Sequence, residues 1–86
     1  YIKYDAVTKI DLRGYRAEEA LRALDEFIDN ALLNNIDYLT ILHGKGTGAL
    51  KQTIHDFLSR HPAISSFRLG ELVEGGAGVT IVKFKE

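Results

Sequence analysis

Three side chains that can act together on a phosphate ester occur in two short motifs. Asp11 and Arg13 flank Leu12, and His43 opens the run His43-Gly44-Lys45-Gly46-Thr47-Gly48. An arginine stabilises the charge that builds on phosphate oxygens. An imidazole gives or takes a proton near neutral pH. A carboxylate orients a water or holds a divalent cation. In the second motif, glycines let the backbone approach an anion, and free N–H groups at a following helix start favour negative charge. Lys45 adds a point charge, and Thr47 or Gly48 can cap the helix. A phosphate is the natural guest. The run lacks the Gly-Lys-Ser/Thr ending of a Walker A loop. Gly44, Gly46 and Ala49 fit the looser dinucleotide spacing, with Glu71 as a ribose-binding acid, but that fold needs two such halves.

Plainer roles exist for each residue. Asp11 can cap a local turn, Arg13 can pair with Glu18 or Glu19 on the surface, and His43 can be a loop histidine bonded to backbone. Convergence decides between the readings, so the elements that carry these residues matter. Thr8–Leu12 reads as a short strand with Ile10 and Leu12 on one face. Apolar residues from Ala17 to Leu32 recur at helical spacing, which predicts a helix over 16–34. Tyr38–Leu42 is a near-continuous apolar run, typical of a strand covered on both faces. A second helix runs from Ala49 to about His61, closed by Pro62. Segments 66–73 and 79–85 alternate as strands, joined by the turn Glu74–Gly78.

The expected fold is α/β: a single-domain βαβαββ two-layer sandwich with a four-stranded mixed sheet and two helices, spanning 8–86 after an arm at 1–7. Right-handed crossovers make the first three strands parallel. The loops at 13–16, 43–48 and 74–78 then share one sheet edge, where open α/β sheets bind ligands. Seven of the eight glycines fall in these loops. His55 and His61, six apart, lie on different helix faces, and no His-x-x-x-His pair suggests zinc. Lys83 and Lys85 can track a phosphate backbone, or simply guard an edge strand. The few aromatics sit mostly on core faces, so no base-stacking platform is evident.

The chain has 86 residues, 45% apolar and 27% charged, which suits one globular domain and excludes a disordered tail. No apolar run approaches a membrane span, and no signal peptide is visible. The absence of cysteine excludes disulfides and a thiol nucleophile. The net charge of −1 divides unevenly: segment 17–37 carries −5 and the remainder +4. A polyanion would avoid the first helix and could meet the rest. With Tyr1 first and no methionine, the chain reads as a piece of a longer protein.

Ile10-Asp11-Leu12-Arg13-Gly14 resembles the Leu-Asp-Leu-(His/Arg)-Gly motif of Smr (small MutS-related) domains. His43-Gly44-Lys45-Gly46 resembles their His-Gly-x-Gly motif, and Gly75–Thr80 is similar to their closing glycine turn. Arg13 in place of His points to the C-terminal Smr domain of the bacterial MutS paralogue that suppresses recombination. The resemblance implies DNA nicking with little sequence preference on branched intermediates, and fusion to a larger MutS-like ATPase in a cytoplasmic, nucleoid-associated protein. It implies Asp11, Arg13 and His43 as catalytic residues, with Gly44 and Gly46 at the phosphate. Lys45, Thr47, Gly48 and Lys83 join them on phosphate logic. Mg²⁺ or Mn²⁺ on Asp11 is the one cofactor suggested, with Glu71 or Glu74 as further donors. Relatives acting on RNA or ribosomes leave a non-catalytic nucleic-acid-binding module as the alternative.

Overall fold

The computed structural model describes residues 8–46, 48–74 and 76–85. The arm at 1–7 and Thr47 lie outside them. Strand β1 (Lys9–Asp11) leads to helix α1 (Ala17–Leu33), β2 (Tyr38–Leu42), α2 (Ala49–Arg60), β3 (Ile64–Leu69) and β4 (Val79–Phe84). Two single 3-10 turns, Leu72–Glu74 and Gly76–Gly78, connect the last two strands. No helix among the described residues is long and apolar enough to cross a membrane.

Local chemistry sets the helix ends. The Arg16 N–H donates to Glu19 Oε1 at 3.1 Å, which satisfies one orphan amide at the start of α1. Helix α2 begins at Gly48, whose φ of +85° places the cap in the left-handed region. It ends at His61, where the chain turns extended before Pro62. The His61 ring fixes this exit, because its Nδ1 accepts from the Ala63 N–H at 3.1 Å.

The sheet order is β1-β2-β4-β3, with β1 and β2 parallel and β4 antiparallel to both its neighbours. The expected mixed βαβαββ sandwich is therefore what the chain forms. Strand β4 occupies a central place, so Lys83 lies between Tyr38 and Ser66 and does not guard an edge. Both crossovers run the same way across the sheet, so right-handedness puts both helices on one face. The core forms there: Leu24 and Ile28 of α1 and Ile54 and Leu58 of α2 meet Leu39, Ile41 and Val82.

The same handedness corrects one expectation. Strand β2 is not covered on both faces. Leu39 and Ile41 are fully buried, whereas Tyr38 is 48% exposed and Thr40 and Leu42 are half-buried. Among the described residues no helix covers the second face, and its outward side chains, buried Val79 apart, are half-buried or exposed. The acidic side chains Glu18, Glu19, Asp25, Glu26 and Asp29 are all exposed on α1, behind the sheet.

Candidate functional site

The three glycine-bearing loops do meet at the carboxyl edge of β1 and β2. Leu12 N donates to Leu42 O at 2.7 Å and extends the β1–β2 pairing by one step. The amides of His43 and Gly44 both donate to Gly78 O, at 3.1 and 3.0 Å. These bonds staple the second and third loops together. Gly44 has a φ of +80°, and a Cβ there would stand 3.4 Å from Arg13 Cγ. So the arginine of the first motif lies against the glycine of the second. Gly44→Ala is expected to cost about 1–2 kcal/mol from the left-handed backbone alone, with Arg13 displaced, measurable as a lowered urea midpoint.

Asp11 and Arg13 form a two-pronged pair. Arg13 Nε donates to Oδ1 at 2.8 Å and Nη2 to Oδ2 at 2.6 Å, while the Arg13 amide also donates to Oδ1 at 3.1 Å. Asp11 thus holds Arg13 itself; the residue pairs neither with Glu18 nor with Glu19 among the described contacts. The side-chain bond from Arg13, helped by its amide, lowers the Asp11 carboxyl from 3.8 to about 2. The side-chain bond to Asp11, then its charge, raise the already high guanidinium value. A carboxyl-carbon NMR titration is expected to place the Asp11 midpoint near 2 in the wild type. In Arg13→Gln it should return toward the ordinary aspartate range of ~3.9. The sign follows: this pairing favours the fold above the ordinary carboxyl value and is lost as pH falls through the lowered one.

His43 is only 5% exposed and uses both ring nitrogens. Nδ1 lies 2.9 Å from Gly44 O and Nε2 lies 2.7 Å from Thr80 Oγ1. Thr80 is fully buried and also lies 2.8 Å from His55 Nε2. A carbonyl only accepts, so His43 Nδ1 carries a proton. In the neutral pair, Thr80 Oγ–H then donates to His43 Nε2, and His55 Nε2–H donates to Thr80 Oγ1. The result is an unbroken donor chain from His55 through Thr80 and His43 to Gly44 O. Burial, then the nearby His43 and Lys51, lowers the His55 imidazole below its ordinary 6.5, and Asp56 opposes this weakly. Its ring also packs edge-on against Phe67 at 4.9 Å.

Thr80 and His55 are the residues that motif reading passed over. Gly44 and Lys45 form a ridge between two hollows. The helix-side hollow, about 330 Å³, is lined by His43, Gly14, Tyr15 and Lys51. The sheet-side hollow, about 430 Å³, is lined by Arg13, Leu42, Gly78 and Val79. Lys45 and Gly46 are exposed at the crest, and Gly48 is half-buried where α2 starts. Since Gly44 N–H is engaged by Gly78, an anion nest has to draw on amides beyond it. Lys83 is not brought to this edge. It lies opposite Tyr38, four residues and about 13 Å down β2 from Leu42.

A divalent cation finds a poor donor set here. Asp11 is the edge carboxylate, and both its oxygens are held by Arg13. The described residues contain no group of three His, Cys, Asp or Glu able to hold a metal. Among the described residues, these do not by themselves make a Mg²⁺ or Mn²⁺ site.

Comparison with known proteins agrees with this geometry. The family model for the Smr domain matches residues 10–85. The chain is 50% identical over 78 residues to a protein of Clostridium botulinum named endonuclease MutS2, covering 91% of this chain and 10% of that protein. A Geobacillus kaustophilus protein of the same name is 52% identical over 77 residues, with 90% and 10% covered. The chain therefore spans about a tenth of these relatives. Among solved structures, the Smr domain of Thermus thermophilus MutS2 superposes with a TM-score of 0.89 at 41% identity, covering 93% of this chain and all of that one. The stand-alone Escherichia coli protein YdaL shares the fold, with a TM-score of 0.89 at 21% identity, over 98% of this chain and 69% of that one. Two motifs joined at Arg13 and Gly44, the βαβαββ order and the match over 10–85 lead to one conclusion: this chain belongs to the Smr domain family.

Proposed function

We propose that this domain is a nicking endonuclease that hydrolyses DNA phosphodiesters with little sequence preference. Branched recombination intermediates are its proposed substrate, and suppression of homologous recombination its consequence. The relatives named endonuclease MutS2 support the reaction class. The chain's span of about a tenth of those relatives supports fusion to a larger MutS2 protein, and the proposed parent is an ATPase that places the domain on nucleoid DNA.

The observation that carries the reading is the Asp11–Arg13 pair set against Gly44. The pair uses Nε–H and one Nη2–H, and a guanidinium has five N–H bonds, so three remain for phosphate oxygens. Lys45 and the amides beyond Gly44 add positive potential on the other side of the phosphate. Asp11 Oδ1 spends both lone pairs on Arg13, and Oδ2 keeps a second lone pair that can orient the attacking water. His43 Nδ1–H can pass from Gly44 O to the leaving oxygen. Nε2 then takes the Thr80 hydroxyl proton, Thr80 takes one from His55 Nε2 and His55 one from solvent; the attacking water gives its proton to solvent, and the reverse relay with a proton returned to Nδ1 restores His43.

The burial of His43, with both nitrogens engaged, favours a second reading. In it, His43 only pins the loop, and the domain holds branched DNA, RNA or a ribosomal surface without cutting it. Product separates the two. Incubation of the domain with a four-way DNA junction should yield nicked strands. Salt-sensitive binding with intact strands would instead establish the non-catalytic module.

A further inference from the structure

The face of the sheet turned away from the helices carries a basin of about 850 Å³. Its floor is a grid fixed by strand register. One row across the sheet reads Lys9, Thr40, Ile81, Arg68, and the next holds Tyr38, Lys83, Ser66. Val73, 93% exposed in the 3-10 turn, forms one wall. The lining includes three cations and no carboxylate. The acidic helix lies behind the opposite face.

Three features select an occupant. The charge is complementary to a polyanion. Tyr38, 48% exposed, stands on the sheet directly beside Lys83, which sets an aromatic ring next to a cation. The basin also adjoins the loop edge along the strands. Leu42 and Val79, which floor the hollow beside Arg13, are the next outward residues along the strands from Thr40 and Ile81. A duplex presents phosphates to such a face but no base planes. An unpaired strand presents both, and stacking on an aromatic is indifferent to sequence.

We propose that the bare sheet face is a second nucleic-acid contact, on which an unpaired strand leaving the loop edge stacks a base on Tyr38 and sets its phosphates on Lys9 and Lys83. The inference rests on the proposed nucleic-acid reading for its ligand class, but not on cleavage. It gives a single-stranded tract beside a branch point a place on the domain, about 13 Å from the edge.

The test is fluorescence-anisotropy binding of a 12-nucleotide oligothymidine and of a blunt 12-base-pair duplex. Tyr38→Ala should weaken the single strand about tenfold and leave the duplex within twofold. Tyr38→Phe should restore binding. Lys9→Ala with Lys83→Ala should lower the single-strand salt slope by about 1.4. Thermal melts of each variant confirm the fold, since these side chains are exposed. Undiminished single-strand binding by folded Tyr38→Ala overturns the proposal alone and leaves the face to residues 1–7 or a second copy. Failure of the wild type to bind either probe overturns it together with the nucleic-acid reading.

Discussion

Arg13→Ala is expected to lower DNA cleavage by about two to three orders of magnitude, the loss seen when one preorganised charge-stabilising donor is removed from a transition state. Thermal stability should barely move. Arg13 is 60% exposed and its bond to Asp11 is a surface pair, which contributes little to folding in water. The two readouts therefore separate, and that separation identifies a functional rather than structural role. Arg13→Lys is a sharper variant. A lysine keeps the charge but loses the planar fork that grips both Asp11 oxygens while presenting further N–H groups outward. It should recover only a small part of the lost rate. Asp11→Asn should fall between the two, because it leaves the guanidinium in place but unanchored. Cleavage in Arg13→Ala at the wild-type rate would remove this residue from the site.

Thr80→Val should affect both the fold and the reaction. The valine matches the shape but lacks the hydroxyl that joins His43 and His55. His43 Nε2 is then left in a site 5% exposed with no partner, and His55 Nε2 loses its acceptor. An unsatisfied buried group costs about 1–3 kcal/mol. A loss of ~2 kcal/mol would lower the melting temperature by roughly 10 °C in a domain this size. Thr80→Ser keeps the hydroxyl and should recover most of the loss. On the proposed reaction, Thr80→Val also cuts the proton route into His43, so residual cleavage should show a changed pH profile. A merely structural role would lower the amount of folded protein and leave that profile unchanged. The His55 shift gives the wild type its own pH signature. Its lowered value means that stability holds above the ordinary imidazole range and is lost as pH falls toward the folded-state value.

Much of this arrangement is legible in the chain because short-range chemistry dictates it. Helix α1 follows from an apolar period uninterrupted by Gly or Pro, and the shared loop edge follows from crossover handedness alone. Asp11 and Arg13 are two apart at a strand end, so their pairing needs only a turn. Other features depend on residues far apart. Thr80 reads as an ordinary β-former in a strand, and it acquires meaning only when pairing brings it to His43, 37 positions away, and His55, 25 away. The central place of β4 was equally hidden, since a hairpin can add a strand on either side with the same alternation. That placement makes Lys83 a member of the bare face instead of an edge guard. Tyr38 and Leu42 lengthen an apolar run that suggests two covered faces, yet two helices on one side leave the other open.

The most direct test of the central claim is one cleavage gel of the purified domain on supercoiled plasmid and on a structured RNA, with Asp11→Ala, Arg13→Ala and His43→Ala alongside. The account predicts nicked circles with the wild type and their loss in all three variants, each shown to be folded by circular dichroism. Intact plasmid and RNA in the wild-type lanes, or nicking that persists in every variant, would contradict it.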